Sequence, residues 1–351
     1  MECIKIAGLC HDIGHGPFSH IFDDVILEKS THPNRHHEVR SCLIIEILCK
    51  RELADELDDN HIAFIKSIIN PQSHHTGALY QIVSNYLNGI DVDKFDYLAR
   101  DAKTLGITTG FNPHRLINDF IIDQNGNIAY PKHCSATIYE MFHSRYMMHK
   151  KVYSHKTVKI IEQMLHDIFI KVDPIIGVSK SIENMDTFCD LTDDSIFYYI
   201  QSVIKPIFPH QITLDVNQYA LVVEANDIYQ RIKSRQLYCQ ILEIIDDDKS
   251  VYLQEFVEYL LATYSNFKRQ DFVIFNKTIG FVSGNADPFN SIIFYNKKED
   301  DVETFTLKKS HISTLMSNKI QETYWYLICK NHSVSEIAKS EIKNYQDMIK
   351  N

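Results

Sequence analysis

The chain has 351 residues, 44% hydrophobic and 23% charged, with Gly 11 and Pro 9. This balance points to a mainly helical globular protein and away from a loop-rich or all-β chain. A formal charge of -10 at pH 7 argues against a broad nucleic-acid-binding face and leaves room for a local basic pocket holding a small anion. The eight cysteines (Cys3, Cys10, Cys42, Cys49, Cys134, Cys189, Cys239, Cys329) stand singly, without a Cys-x-x-Cys pair and with no signal peptide in view. That usage implies a reducing compartment, cytoplasmic or nuclear. No apolar run approaches the roughly eighteen residues of a membrane span, so no membrane partner is expected.

In chain order, residues 2–28 predict a helix, a glycine-proline bend at Gly14, Gly16 and Pro17, and a second helix. The first helix opens in mid-pattern without a cap, which predicts a further element upstream. A polar loop, 29–34, precedes a helix over 36–57 with Val39, Leu43, Ile44 and Ile47 as its inner face. A short helix over 61–69 stops at Asn70-Pro71, and a long helical pattern runs from Ala78 to Leu105, interrupted near Asn88-Gly89. Ile121 to Tyr130 brackets an Asn-Gly turn and predicts a β-hairpin. Helices are expected over 135–172, 194–203, 226–245, 251–264, 317–330 and 333–348. Short strands are expected at 272–275, 292–295 and 304–307.

Three stretches carry chemistry. His11-Asp12-Ile13-Gly14-His15-Gly16-Pro17-Phe18-Ser19-His20, followed by Asp23, His36 and His37, is denser in titratable groups than a core tolerates without purpose. Histidine nitrogen and carboxylate oxygen suit zinc, iron or manganese, and the lack of a paired thiolate argues against a structural cysteine site. Cys10 points about 100° away from His11 on a helix and is assigned to the core. A His-Asp dipeptide alone is more often a surface pair; the surrounding density is what singles this one out.

In the second stretch, Gly89 to Asp101, helical spacing places Asp93, Tyr97 and Asp101 on one face, with Asp96 and Arg100 free to pair beside them. The bland reading is a solvated helix with an ion pair. In the third, Phe142 to Lys156, Arg145, His149 and Tyr153 repeat the same spacing, and Lys150, Lys151, His155 and Lys156 add positive charge to an acidic protein. An arginine there can fork onto phosphate oxygens, or pair with a carboxylate on a basic surface face.

"IAGLCHDIGHGPFSHIFD", "NGIDVDKFDYLARD" and "MFHSRYMMHKKVYSHK", in this order, resemble the HD-domain phosphohydrolases. Within them the chain is most similar to the deoxynucleoside triphosphate triphosphohydrolases of the SAM-and-HD-domain type, without the SAM domain. The resemblance implies a mainly α fold: a helical HD-domain bundle at 1–175 with a β-hairpin insertion, a helical extension at 176–268 and a small α+β lobe at 269–351. It implies His11, Asp12 and Asp93 as ligands of a divalent metal (iron, zinc or manganese), with magnesium accompanying the nucleotide. It implies catalytic roles for His15, His20, Asp23 and His37, with His20 as the proton donor. Lys94 and Arg145 match phosphate-contacting positions, and Tyr97, Asp101, His149 and Tyr153 match residues around the deoxyribose.

The activity implied is metal-dependent hydrolysis of a dNTP to a deoxynucleoside and triphosphate by a homo-oligomer, dimeric or tetrameric. Arg115, Lys151, His155 and Lys156 match part of a regulatory site for an activator nucleotide, while Pro131 and His133 stand where arginine and lysine are expected. A fourth metal ligand in the family is a histidine upstream of the His-Asp pair. If it is missing, the expected alternative is a catalytically impaired nucleotide-binding or scaffold homologue.

Overall fold

The computed structural model describes residues 1–205, 213–245, 249–282, 286–297, 302–313, 317 and 319–349. The helices are α1 (Glu2–Cys10), α2 (His37–Glu52), α3 (Asp59–Ile69), α4 (Val92–Leu105), α5 (His114–Asp119), α6 (Ser135–Met148) and α7 (Lys156–Ile176). They continue with α8 (Met185–Cys189), α9 (Asp193–Ile204), α10 (Val216–Lys233), α11 (Ser250–Thr263), α12 (Lys309–Ile312) and α13 (His332–Met348). The strands are β1 (Ile121–Ile122), β2 (Ile128–Pro131), β3 (Cys239–Ile245), β4 (Phe272–Gly280), β5 (Ile293–Lys297), β6 (Val302–Thr306) and β7 (Gln321–Cys329). The fold is mainly α with two small sheets, as the sequence implied.

The chain forms two compact units that interleave in sequence, so their borders do not coincide with sequential breaks near 175 and 268. The first comprises Met1–Met148, Ser179–Thr192 and Gly280–Ile320; the second comprises His149–Val178, Asp193–Ile279 and Gln321–Asn351.

In the first unit α1 and α2 pack on α3. Ala7 of α1, Cys42, Ile45 and Cys49 of α2, and Ile62, Ile65, Ile68 and Ile69 of α3 close one buried cluster. The helical spacing of those isoleucines makes α3 amphipathic. Its start is set by a reciprocal cap in which Asp58 accepts from the His61 N–H at 2.9 Å and His61 Nδ1 accepts from the Asp58 N–H. The hairpin β1–β2 forms as predicted, with Ile121 opposite Ala129, and β2 then pairs in parallel with β5 through Ala129 and Ile293. β6 completes the order β1-β2-β5-β6.

In the second unit α7 packs on α10, and the sheet β3-β7-β4 is backed by α11 and α13. Leu253, Phe256 and Leu260 of α11 meet Leu327 of β7 and Val334 and Ala338 of α13 in its core.

Several expectations are corrected. The pattern over 78–105 is helical only as a short turn at Ala78–Gln81 and as α4. The helix expected over 135–172 is interrupted between α6 and α7 by a wider turn at His149–Tyr153. The helix expected over 226–245 stops at Lys233, and Cys239–Ile245 is a strand antiparallel to β7, with Cys239 opposite Cys329. β7 itself replaces the helix expected over 317–330, part of which lies outside the described residues. Thr323-Tyr324-Trp325-Tyr326-Leu327-Ile328 consists of strand formers, and buried on its sheet that preference prevails over helical spacing. The inner face of α2 is Arg40, Ser41, Cys42, Ile45 and Cys49, whereas Val39, Leu43, Ile44 and Ile47 are half-buried.

Candidate functional site

The site is assembled in the first unit at the end of α1. His11 caps that helix, and its Nδ1 is 2.8 Å from the Gly8 carbonyl oxygen. A proton on Nδ1 donated to that carbonyl leaves Nε2 as the free lone pair, a common way to orient an imidazole for a cation. Nε2 lies 3.3 Å from Asp12 Oδ2 and 3.3 Å from Asp93 Oδ1. Asp93 sits in the first turn of α4, a helix started by the Asp91 carboxylate accepting from the Lys94 N–H at 3.1 Å. One donor atom each from His11, Asp12 and Asp93 falls within 4.8 Å of the others. Two carboxylates and an oriented imidazole fit a divalent metal in donor type and spacing.

Beyond Asp12 the chain turns sharply, and close approach explains why. A Cβ on Gly14 would lie 2.2 Å from the His37 carbonyl oxygen and 2.4 Å from the Ser41 nitrogen, so only glycine fits against α2 there. A Cβ on Gly16 would meet the Phe22 ring at 2.5 Å. Ser41 stitches the turn by donating its hydroxyl to the His11 carbonyl at 2.6 Å and accepting from the Gly14 N–H at 2.9 Å. Phe18 and Ser19 then take positive φ, 60° and 51°, a left-handed conformation costly for side-chain-bearing residues, and His20 emerges exposed.

This bend brings His15 onto His37 of α2, with ring centroids 3.9 Å apart and planes at 18°. His20 stands edge-on to His15 at 5.0 Å. The Asp23 carboxylate accepts from His37 Nδ1 at 2.9 Å and lies 3.7 Å from His15 Nδ1, while Asp12 Oδ1 is 3.8 Å from His15 Nε2 and 3.9 Å from His37 Nε2. The stacked rings are tuned oppositely. Burial, and then the neighbouring His37, depress His15 to about 4. Burial also works against charge on His37, but the Asp23 hydrogen bond and nearby carboxylates outweigh it and raise its pKa. The hydrogen bond to Asp93 raises His11 to about 9 against the opposing effect of burial, with the Asp12 carboxylate acting in the same direction.

Sequence reasoning missed Arg40, the largest fully buried side chain in the first unit. Its guanidinium donates to the Gly14 carbonyl, to the carbonyls of Asn34 and Arg35, and to Asp23 Oδ1, and it packs over the rings of Phe22 and Phe188. One cation thereby holds the bend, the loop before α2 and the orientation of Asp23. The available signal was its place one turn after His36 and His37 on the face of α2 that carries the site.

Lys94 pairs with the buried Asp91, its Nζ 3.0 and 3.2 Å from the two carboxylate oxygens. Arg145 hydrogen-bonds Tyr97 and donates to the Gly280 carbonyl, and burial raises the Tyr97 phenol to about 12 despite the nearby guanidinium. Asp101 accepts from Arg100 at 3.1 Å. Arg115 is exposed on α5. The other residues expected at a nucleotide lie in the second unit: the His149 and Tyr153 rings are 5.0 Å apart, Lys151 and Lys156 are exposed, and His155 caps α7 by accepting from the Thr157 N–H at 3.2 Å.

A mainly helical body thus presents an adjacent His-Asp pair, a distant aspartate and a histidine-carboxylate cluster, a donor set that could hold a divalent metal. A family model described as HD domain matches residues 1–101. The chain is 56% identical over 346 residues to a protein named for its HD domain, L394 of Acanthamoeba polyphaga mimivirus, covering 98% of this chain and 75% of that one. It is 31% identical over 345 residues to the deoxynucleoside triphosphate triphosphohydrolase SAMHD1 homolog of Dictyostelium discoideum (97% of this chain, 64% of that protein). It is 29% identical over 393 residues to the deoxynucleoside triphosphate triphosphohydrolase SAMHD1 of Gallus gallus (98% and 61%). The chain belongs to the HD-domain family. It spans three quarters of the mimivirus protein and less than two thirds of the other two. Among the described residues no helix is long and apolar enough to cross a membrane.

Proposed function

We propose that the protein hydrolyses deoxynucleoside triphosphates to a deoxynucleoside and intact triphosphate. The observation that supports this best is the convergence of His11, Asp12 and Asp93 beside the stacked His15–His37 pair tied to Asp23. The similarity to proteins named as triphosphohydrolases agrees with it. A divalent metal held by His11, Asp12 and Asp93 would supply Lewis acidity and an activated water near neutral pH. Iron, zinc or manganese suits the donor set, with magnesium entering on the triphosphate.

The chain's own groups then have defined tasks. Attack of water on the α-phosphorus breaks its bond to the nucleoside 5′ oxygen, which must leave with a proton. His20, exposed and edge-on to His15, is assigned as the donor. His15, whose pKa burial depresses, and His37, whose pKa Asp23 raises, form a pair in which the first favours accepting and the second favours holding a proton. Arg145 and Lys94 offset triphosphate charge, Lys94 by releasing one oxygen of Asp91. Tyr97 and Asp101 border the sugar. We further propose a homo-oligomer that takes an activator nucleotide.

The test is incubation of purified protein with each dNTP and NTP plus manganese or magnesium, with products separated by chromatography. Triphosphate released from dNTPs and not NTPs is expected; orthophosphate or pyrophosphate as first product sinks the reading. Asp93→Ala should lose both bound metal and activity, and a metal content equal to that of the parent would remove Asp93 from the site.

A further inference from the structure

A second convergence of metal-type donors lies in the first unit, on residues the proposed hydrolysis does not use. Helix α5 is pinned by the buried Leu116, and the Tyr295 hydroxyl of β5 donates to the Asp119 carbonyl at its end at 2.7 Å. Opposite, β2 ends at Pro131 and the chain makes a tight turn over Lys132–Cys134 into α6. The two corners bring together an Asp119 carboxylate oxygen, a His133 ring nitrogen and the Cys134 sulfur, all within 4.8 Å of one another. Asp119 and His133 are exposed, whereas Cys134 is fully buried, so one anchored donor sits beneath two that open to solvent.

The spacing is informative. His133 Nε2 and Asp119 Oδ2 are 4.0 Å apart, beyond the roughly 2.7–3.2 Å of a closed hydrogen bond. With metal–ligand bonds of about 2.0–2.3 Å, tetrahedral geometry separates neighbouring donors by roughly 3.3–3.8 Å, so the gap needs little closure to take an ion. Charge agrees. Burial and the Asp119 carboxylate raise the Cys134 thiol above its usual value and outweigh Arg115, which lowers it. A cation between sulfur and carboxylate would reverse that balance.

We propose that Asp119, His133 and Cys134 form a second metal site, for a zinc-class divalent ion, with water as the remaining ligand. Thiolate and imidazole donors disfavour magnesium and calcium and suit zinc or cobalt. On binding, the Cys134 thiol gives its proton to solvent as the sulfur–metal bond forms, and Asp119 and His133 bind without a change of covalent structure. The ion would clamp the end of α5 to the turn between β2 and α6. The site uses none of the residues assigned above to metal binding or hydrolysis at the His-Asp pair.

Titration of the full chain with cobalt(II), read in the near ultraviolet, tests this. No other group of three donors in the described residues includes a cysteine, so a thiolate-to-cobalt charge-transfer band reports this site. The band should saturate at one ion per chain, disappear in Cys134→Ala, and need at least about ten times more cobalt in His133→Ala. His133 is exposed, so its replacement keeps the fold, checked by circular dichroism, even where loss of the buried cysteine disturbs it. Absence of the band in the parent chain, a band that survives Cys134→Ala, or unchanged affinity in His133→Ala overturns the assignment.

Discussion

Arg40 shows how much of this site depends on one residue that never touches the proposed substrate. Its guanidinium is fully buried yet has partners on several sides: backbone carbonyls of Gly14, Asn34 and Arg35, the Asp23 carboxylate, and two aromatic faces. Asp23 in turn fixes which nitrogen of His37 carries its hydrogen bond and raises the pKa of that ring, while burial depresses that of His15 stacked on it. Removing one member of such a buried pair leaves the other uncompensated, which costs about 3–5 kcal/mol. Arg40→Met should therefore lose about that much stability in urea unfolding and should also depress turnover, with Arg40→Lys intermediate. Equal unfolding midpoints for Arg40→Met and the parent would show that the guanidinium does not hold the site together. The histidines and aspartates of this region were legible from residue type alone. Arg40 was not, because a single arginine in a helix is read as solvated until its burial is known.

Among the elements, the bend after α1 was legible and its cause was only half so. Gly14, Gly16 and Pro17 announced a turn through their backbone preferences, yet Gly14 is required by something else: the backbone of α2 occupies the space of its Cβ. Gly14→Ala must push α1 and α2 apart locally, costing about 1–3 kcal/mol. Its melting temperature should fall and its activity fall further than stability alone explains, because His15 moves away from His37. Unaltered turnover at a lowered melting temperature would separate the bend from the chemistry. The strands β3 and β7 went unread for a related reason. Short apolar runs fit either period, and what selects the strand is the partner, here Cys239 against Cys329 and Glu243 against Tyr326 across a gap in sequence that no local pattern reports.

For the molecule as a whole, each unit carries its own buried polar anchor, and that of the second unit makes its stability depend on pH. Asp167 of α7 accepts from the Tyr238 hydroxyl at 2.8 Å and meets the Lys330 ammonium at 2.5 Å. Burial alone would raise its pKa, but the bonds from His166, Lys330 and Tyr238 hold it down to about 2. A carboxyl depressed in the folded state contributes stability that is complete above its unfolded value near 4 and lost as pH falls towards 2, about 2 kcal/mol at neutral pH. Asp167→Asn should be less stable than the parent by about that amount at pH 7, with the gap narrowing below pH 4 in urea unfolding. A gap that persists undiminished at pH 2 would refute the linkage. The sequence by itself determined the class through the resemblance carried by its three motifs in order, since residue types and spacing alone left each of them an ordinary surface reading. Only the tertiary structure decided which residues meet. The opposite tuning of His15 and His37, the burial of Arg40 and the meeting of Asp119 with Cys134 depend on packing between different segments of the chain. That packing fixes distance and dielectric, neither of which is written in local sequence.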